Sequence, residues 1–131
     1  MKTLTRLIIV SMLMIVAAPA YSGSVVHIFD CEQDEEATRG QLEAVAAKWL
    51  KAAKGQKGGE QFEAYLNFPR AAAMGEGDFT LVLIAPSFAE WGTFIDGYEG
   101  SAAAHEVDAE WDELADCPDS SLWESVAIKV E

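Results

Sequence analysis

The stretch Phe79-Thr80-Leu81-Val82-Leu83-Ile84-Ala85, closed by Pro86-Ser87, decides the fold. Thr80 is the only polar residue before the proline, and aliphatic and β-branched types dominate. A short apolar run of that composition, bounded by turn residues, reads as a strand covered on both faces, and so as a central one. Alternation puts Phe79, Leu81, Leu83 and Ala85 on one face, and Val82 and Ile84 on the other. Layers of helix can satisfy one face; the second needs a cover of its own.

On the C-terminal side, Ser87 and Glu90 fit a capping box, which opens a helix. Phe88, Trp91, Ile95 and Tyr98 form its apolar stripe with Phe94 beside it, and Gly97 and Gly100 weaken its end. Ala104, Val107, Trp111 and Leu114 mark a third helical stretch, closed by Cys117-Pro118. The last strand is expected over Leu122 to Val130. Leu122, Glu124, Val126, Ile128 and Val130 share one of its faces, and Trp123 and Ala127 the other.

On the N-terminal side, Ala71 to Asp78 reads as a loop with Gly75 and Gly77. Phe62, Ala64, Leu66 and Phe68 alternate with Glu63, Tyr65 and Asn67, a second strand ended by Pro69. Leu42, Val45, Ala46, Trp49 and Ala53 recur at helical steps, in a helix that starts between Asp34 and Thr38 and stops at Gly55. Val25-Val26-His27-Ile28-Phe29 is the first strand, ending at Asp30-Cys31. The order is βαββαβ, which is the ferredoxin-like α+β arrangement. It places a four-stranded antiparallel sheet in the order 4-1-3-2, with helices on one face. The simplest cover for the other face is a second copy, sheet against sheet, in a twofold homodimer.

Ahead of this domain stands an address. Lys2 and Arg6 precede the apolar run Leu7 to Ala18, and Ala18-Pro19-Ala20 is a small-x-small cleavage signal. The run is 12 residues long, whereas a spanning helix needs about 20. The expectation is a signal peptide over residues 1–20, a single mature domain over residues 21–131, and a periplasmic or secreted location with no membrane hold after cleavage. No cysteine follows the cleavage site to take a lipid. The full chain carries 9 Lys+Arg and 22 Asp+Glu, a net charge of −13; loss of Lys2 and Arg6 takes the mature protein to −15. That charge argues against nucleic acid, whose phosphates need a basic surface, and against anionic lipid.

Export places Cys31 and Cys117 in an oxidising compartment, where the two can make only one intramolecular bridge. The topology supports it. Cys31 lies just past the first strand and Cys117 just before the last, which are neighbouring points when those strands are antiparallel partners.

In its element order, the mature chain resembles the dimeric α+β barrel superfamily, which includes the antibiotic-biosynthesis-monooxygenase-like domains. Asp78-Phe79-Thr80-Leu81-Val82-Leu83 followed by Pro86-Ser87-Phe88-Ala89-Glu90-Trp91-Gly92 carries most of the likeness. The resemblance implies a dimer. It also implies a range of activities, since members include cofactor-free oxygenases, haem-degrading enzymes and proteins without known activity. The Asn, Trp and His pattern of the haem-degrading branch is not matched in this chain.

Few residues stand out as carriers of chemistry. His27 shares a strand face with Phe29 and is a candidate general base or ligand contact, although a histidine there more often fills a core or interface. Tyr65 and Asn67, on the polar face of the second strand, are candidates for orienting a ligand, although such residues commonly face water or a partner. Trp49, Trp91 and Trp111 fall at helical spacing, which suits a core as well as an aromatic pocket; Trp91 and Trp123 are kept as pocket candidates. His105-Glu106-Val107-Asp108-Ala109 begins like a zincin motif but lacks the second histidine, so no metal is expected. Asp108 and Asp112 read as part of a solvated acidic helix face, with Glu106, Glu110 and Glu113 on another side. No motif calls for a cofactor. The expected function is an exported, dimeric small-molecule-binding or interaction module. The alternative is a cofactor-independent monooxygenase-like enzyme acting on a small aromatic substrate.

Overall fold

The apolar central run pairs on both sides, as its composition demands. A computed structural model describes residues 23–71 and 78–130. The expected signal peptide and the glycines of the 71–78 loop lie outside the described residues. Among the described residues seven elements follow one another: β1 (Ser24–Gln33), α1 (Arg39–Lys54), β2 (Glu63–Asn67), β3 (Asp78–Ala85), α2 (Phe88–Tyr98), α3 (Ala102–Asp112) and β4 (Ala115–Ser125). The strands form one antiparallel sheet in the order β2-β3-β1-β4. This is the ferredoxin-like α+β fold. None of the described helices is long and apolar enough to cross a membrane.

Local chemistry sets each helix start. Thr38 and Gln41 close a reciprocal capping box at α1. Ser87 accepts the Glu90 amide at 3.2 Å and gives its own hydroxyl proton to the Glu90 carboxylate at 2.9 Å. Ser101 caps α3 by accepting the Ala104 amide. Between α1 and β2 the chain must run close to α2, and Gly58 makes that possible. Its φ is +90°, and a Cβ there would lie 2.5 Å from the Glu90 carbonyl oxygen.

The core lies wholly between the sheet and the helices, in two clusters. One joins Val25, Ala53, Phe62, Ala85 and Phe94; the other joins Cys31, Leu42, Phe79 and Ala115. Among the described residues, nothing covers the opposite sheet face. Register aligns Val26 with Ile84 and Trp123, and Ile28 with Val82 and Ser121. Val26, Ile28, Val82 and Ile84 are only half-buried, while Tyr65 and Trp123 are 48% and 58% exposed.

Three boundaries differ from the expectation: α3 ends at Asp112 and not at Cys117-Pro118, and two strands move. β4 runs over Ala115–Ser125 instead of Leu122 to Val130, and β1 continues to Gln33 instead of stopping at Asp30-Cys31. The two cysteines therefore lie within paired strands. Cys117-Pro118, expected to close the third helix ahead of the last strand, lies inside β4, although proline cannot donate to a ladder. β4 is an edge strand, and the pairing shifts register between Asp30 and Glu32, opposite the Pro118 region. An edge and a bulge are the places where a sheet tolerates proline. At the other end Ser24 pairs with Ser125, so the ladder runs out before Val126. Val126, Ile128 and Val130 are left 63%, 90% and 96% exposed.

Cys31 and Cys117 form a disulfide that closes a sequence separation of 86 residues. It ties β1 to the edge strand at the irregular part of their ladder. A loop of that length restricts the unfolded chain by about 4 to 5 kcal/mol in the chain-entropy account. Reduction should lower the unfolding free energy by roughly that amount, read as a lower midpoint in urea melts of the reduced against the oxidised protein. An unchanged midpoint would show that the bridge adds nothing to stability.

Candidate functional site

Between the two core clusters the helices stand away from the sheet, and a cavity of about 300 Å³ opens there. That volume is at the small end of ligand sites. β1 and β3 supply the floor through His27, Phe29, Leu81 and Leu83. Their alternation, with His27 opposite Leu83 and Phe29 opposite Leu81, turns all four side chains to the helix side. The walls are Trp49 of α1, Trp91, Ile95 and Tyr98 of α2, and Asp108 and Trp111 of α3. Among the described residues the lining is mostly large rings and aliphatic groups, and two of its polar places could meet a bound molecule.

The first polar place is His27. Its ring lies 4.0 Å from that of Phe29 and meets the edge of Trp91 at 4.9 Å, centroid to centroid. Its Nδ1 is buried and finds no hydrogen-bond partner among the described residues. Burial lowers its pKa below the usual histidine value, because the low-dielectric surroundings disfavour the imidazolium. The ring is therefore neutral at pH 7, with a lone pair on one nitrogen. A neutral imidazole beside an apolar space can accept a proton or a hydrogen bond from a bound molecule.

The second is a chain of side chains across three helices. Trp49 Nε1 donates to the Tyr98 hydroxyl oxygen at 3.1 Å. Tyr98 in turn donates to the Asp108 carboxylate at 2.6 Å and 2.5 Å from its two oxygens. Burial first, and then the bond to Asp108, push the Tyr98 pKa far above the ordinary tyrosine value. The phenol therefore stays protonated and serves as a fixed donor. Asp108 has one further neighbour, His105 Nδ1, at 3.9 Å on the exposed side. Trp111 Nε1 is turned to the disulfide and meets Cys117 Sγ at 3.4 Å.

Of the residues singled out in the sequence, the fold brings His27 and Trp91 together in this cavity. Tyr65, Asn67 and Trp123 lie by register on the open face of the sheet. There Tyr65 donates to the Glu63 carboxylate, Asn67 Nδ2 donates to Thr80 Oγ1 at 3.3 Å, and Trp123 Nε1 donates to Ser121 Oγ at 2.8 Å. Tyr98 and Asp108 were missed as site residues: one reads as apolar stripe, the other as solvated acid. A signal for Asp108 was present, since it follows Ala104 by four residues and precedes Trp111 by three, which places it on their inward face.

No protein-family model matches this sequence, and no curated protein matches it. Solved structures do match. SnoaB from Streptomyces nogalater, described as a cofactor-independent oxygenase, is 10% identical with a TM-score of 0.54, covering 82% of this chain and 96% of its own. A protein of Bacteroides thetaiotaomicron VPI-5482, described as of unknown function and a possible oxidoreductase, is 10% identical with a TM-score of 0.53, over 79% of this chain and 98% of its own. A hydroxynitrile lyase from Passiflora edulis is 15% identical with a TM-score of 0.52, over 84% and 98%. Identities this low establish a common fold and leave activity open, and the neighbours' own descriptions differ in chemistry. The fold they share with this chain is the ferredoxin-like α+β fold, the one that its resemblance to the dimeric α+β barrel superfamily implied.

Proposed function

We propose that this protein is an exported, homodimeric module that binds a small, largely apolar molecule between its sheet and its helices. The observation that carries the reading is the cavity itself: about 300 Å³ walled by tryptophan, phenylalanine and tyrosine rings, with the His27 imidazole on its floor. Protein interiors rarely leave so much apolar space unfilled, because every unfilled surface forfeits dispersion contacts. A flat molecule recovers those contacts and can offer a hydroxyl to His27. The disulfide suits an oxidising compartment.

The open sheet face supports the homodimer. Val26, Ile28, Val82 and Ile84 form a contiguous apolar strip flanked by Tyr65 and Trp123. A second copy covers such a face by a self-complementary contact about a twofold axis.

One specific observation favours a second, catalytic reading. The neutral His27 ring faces a cavity suited to an aromatic substrate, in a fold shared with SnoaB, which is described as a cofactor-independent oxygenase. In that reading the imidazole takes a proton from a hydroxyl-bearing aromatic substrate, and dioxygen oxidises the electron-rich anion that results.

Calorimetric titration with 2-naphthol, a neutral two-ring aromatic, should show one site per chain. Ile95→Trp narrows the mouth of the cavity at a position that is 44% exposed. It should weaken binding at least tenfold without lowering the melting temperature; unaltered binding places the probe elsewhere. The secreted protein should begin at Tyr21 and elute as a dimer at micromolar concentration, and Trp123→Glu should shift it to monomer. A wild-type monomer would rule out the sheet-to-sheet assembly. For the catalytic reading, oxygen uptake with quinol-type substrates should fall at least a hundredfold in His27→Ala, and an equal rate in the variant removes that role.

A further inference from the structure

The walls of the cavity are rich in aromatic rings, and the charged residue of its described lining is an acid. We infer that the cavity selects an organic cation, a bulky or quaternary ammonium, over a neutral molecule of the same shape. The inference rests on the proposal that the cavity binds a small molecule, and it names the chemical class of that molecule.

Three features point the same way. Trp49, Trp91, Tyr98 and Trp111 reach one space from three different helices. An aromatic face carries a negative quadrupole, and a cation within about 6 Å of a ring centroid is attracted by it, most strongly by tryptophan. Several such rings around one space are the usual means of holding a quaternary ammonium. Second, Asp108 brings a carboxylate to the same lining, and among the described residues no lysine or arginine lines the cavity to neutralise it. Its contacts are the Tyr98 hydroxyl and, at 3.9 Å, the His105 ring. The Tyr98 bond fixes the carboxylate at the edge of the aromatic space. Third, the chain as a whole carries a net charge of −13. A field of that sign gathers cations near the protein and raises their rate of entry.

The same features exclude neighbouring classes. A metal ion asks for several oxygen ligands, and the cavity wall offers one carboxylate among rings. A small hydrated ammonium would lose its water for few hydrogen bonds. A quaternary or bulky ammonium holds its water weakly, gains the ring faces, and keeps the carboxylate as its counter-charge. An anion would meet Asp108 directly. His27, neutral at pH 7, opposes none of these.

The test uses the disulfide-intact protein and two probes of equal shape: choline and 3,3-dimethylbutan-1-ol, in which carbon replaces the charged nitrogen. Binding is read from the indole N–H signals in NMR titrations. Choline is expected to bind at least tenfold more tightly than the alcohol. Asp108→Asn keeps the size of the side chain and an acceptor for Tyr98; it should weaken choline at least tenfold and change the alcohol less than twofold. Trp91→Leu should also narrow the preference for choline, and it decides the matter if the Asp108 variant fails to fold. Equal affinity for the two probes, or binding of 2-naphthol without binding of choline, overturns the cation inference and leaves the cavity proposal standing. Failure of 2-naphthol, choline and the alcohol alike overturns both.

Discussion

β1 is the strand on which the rest of the molecule hangs. It pairs with β3 along one edge and with β4 along the other, so it joins the two halves of the sheet. Its helix-side residues are Val25 and Cys31, buried in different core clusters, with His27 and Phe29 between them on the cavity floor. One alternating strand thus contributes to both ends of the core and to the space between. A register slip of a single residue would turn Val26 and Ile28 inward and send His27 and the disulfide to the open face. The covalent tie to β4 at Cys31 and the pairing with β3 together forbid that slip.

The cavity is a consequence of how the aromatic residues are distributed. Phe62 and Phe94 pack tightly at one end, their centroids 4.7 Å apart, and Phe79 packs against Phe68 and Trp111 at the other. Between these ends α1, α2 and α3 are held off the sheet by long rings that lean on one another, among them Trp49 against Tyr98 and Trp91 against His27. The polar chain from Trp49 through Tyr98 to Asp108 fixes that separation, because each of its groups is satisfied only when all three helices keep their places. Rigid rings and a satisfied network leave the space preformed, which lowers the cost of ordering a bound molecule.

Much of the fold was legible. The continuous apolar run at Phe79 to Ala85, the alternation through Phe62 to Phe68 and the helical stripe from Leu42 to Ala53 gave the sheet and helix order. The disulfide was expected from the export signal and the two cysteines, and that order supported it, because antiparallel neighbours bring Cys31 and Cys117 together. The last strand is expected too late because Cys117-Pro118 reads as the end of a helix. These two residues lie in an edge strand since an edge has unpaired positions to spare for a proline, which no local pattern declares. The site was less legible. Tyr98 was read as an apolar stripe residue and Asp108 as surface charge, and each description is locally sound. What unites them is the hydrogen bond from the Tyr98 hydroxyl of α2 to the Asp108 carboxylate of α3.

The sequence by itself determined periodicity, caps, strand centrality, charge and the possible disulfide, all of which depend on neighbours within a few residues or on a count. Tertiary structure alone decided that His27 looks into a cavity while Tyr65, Asn67 and Trp123 look away from it. It alone decided that an acid of α3 meets a phenol of α2 beside four aromatic walls. Those outcomes depend on which strand face the helices cover and how far from the sheet they stand. Packing between elements distant in the chain sets both, and no local run of residues encodes it.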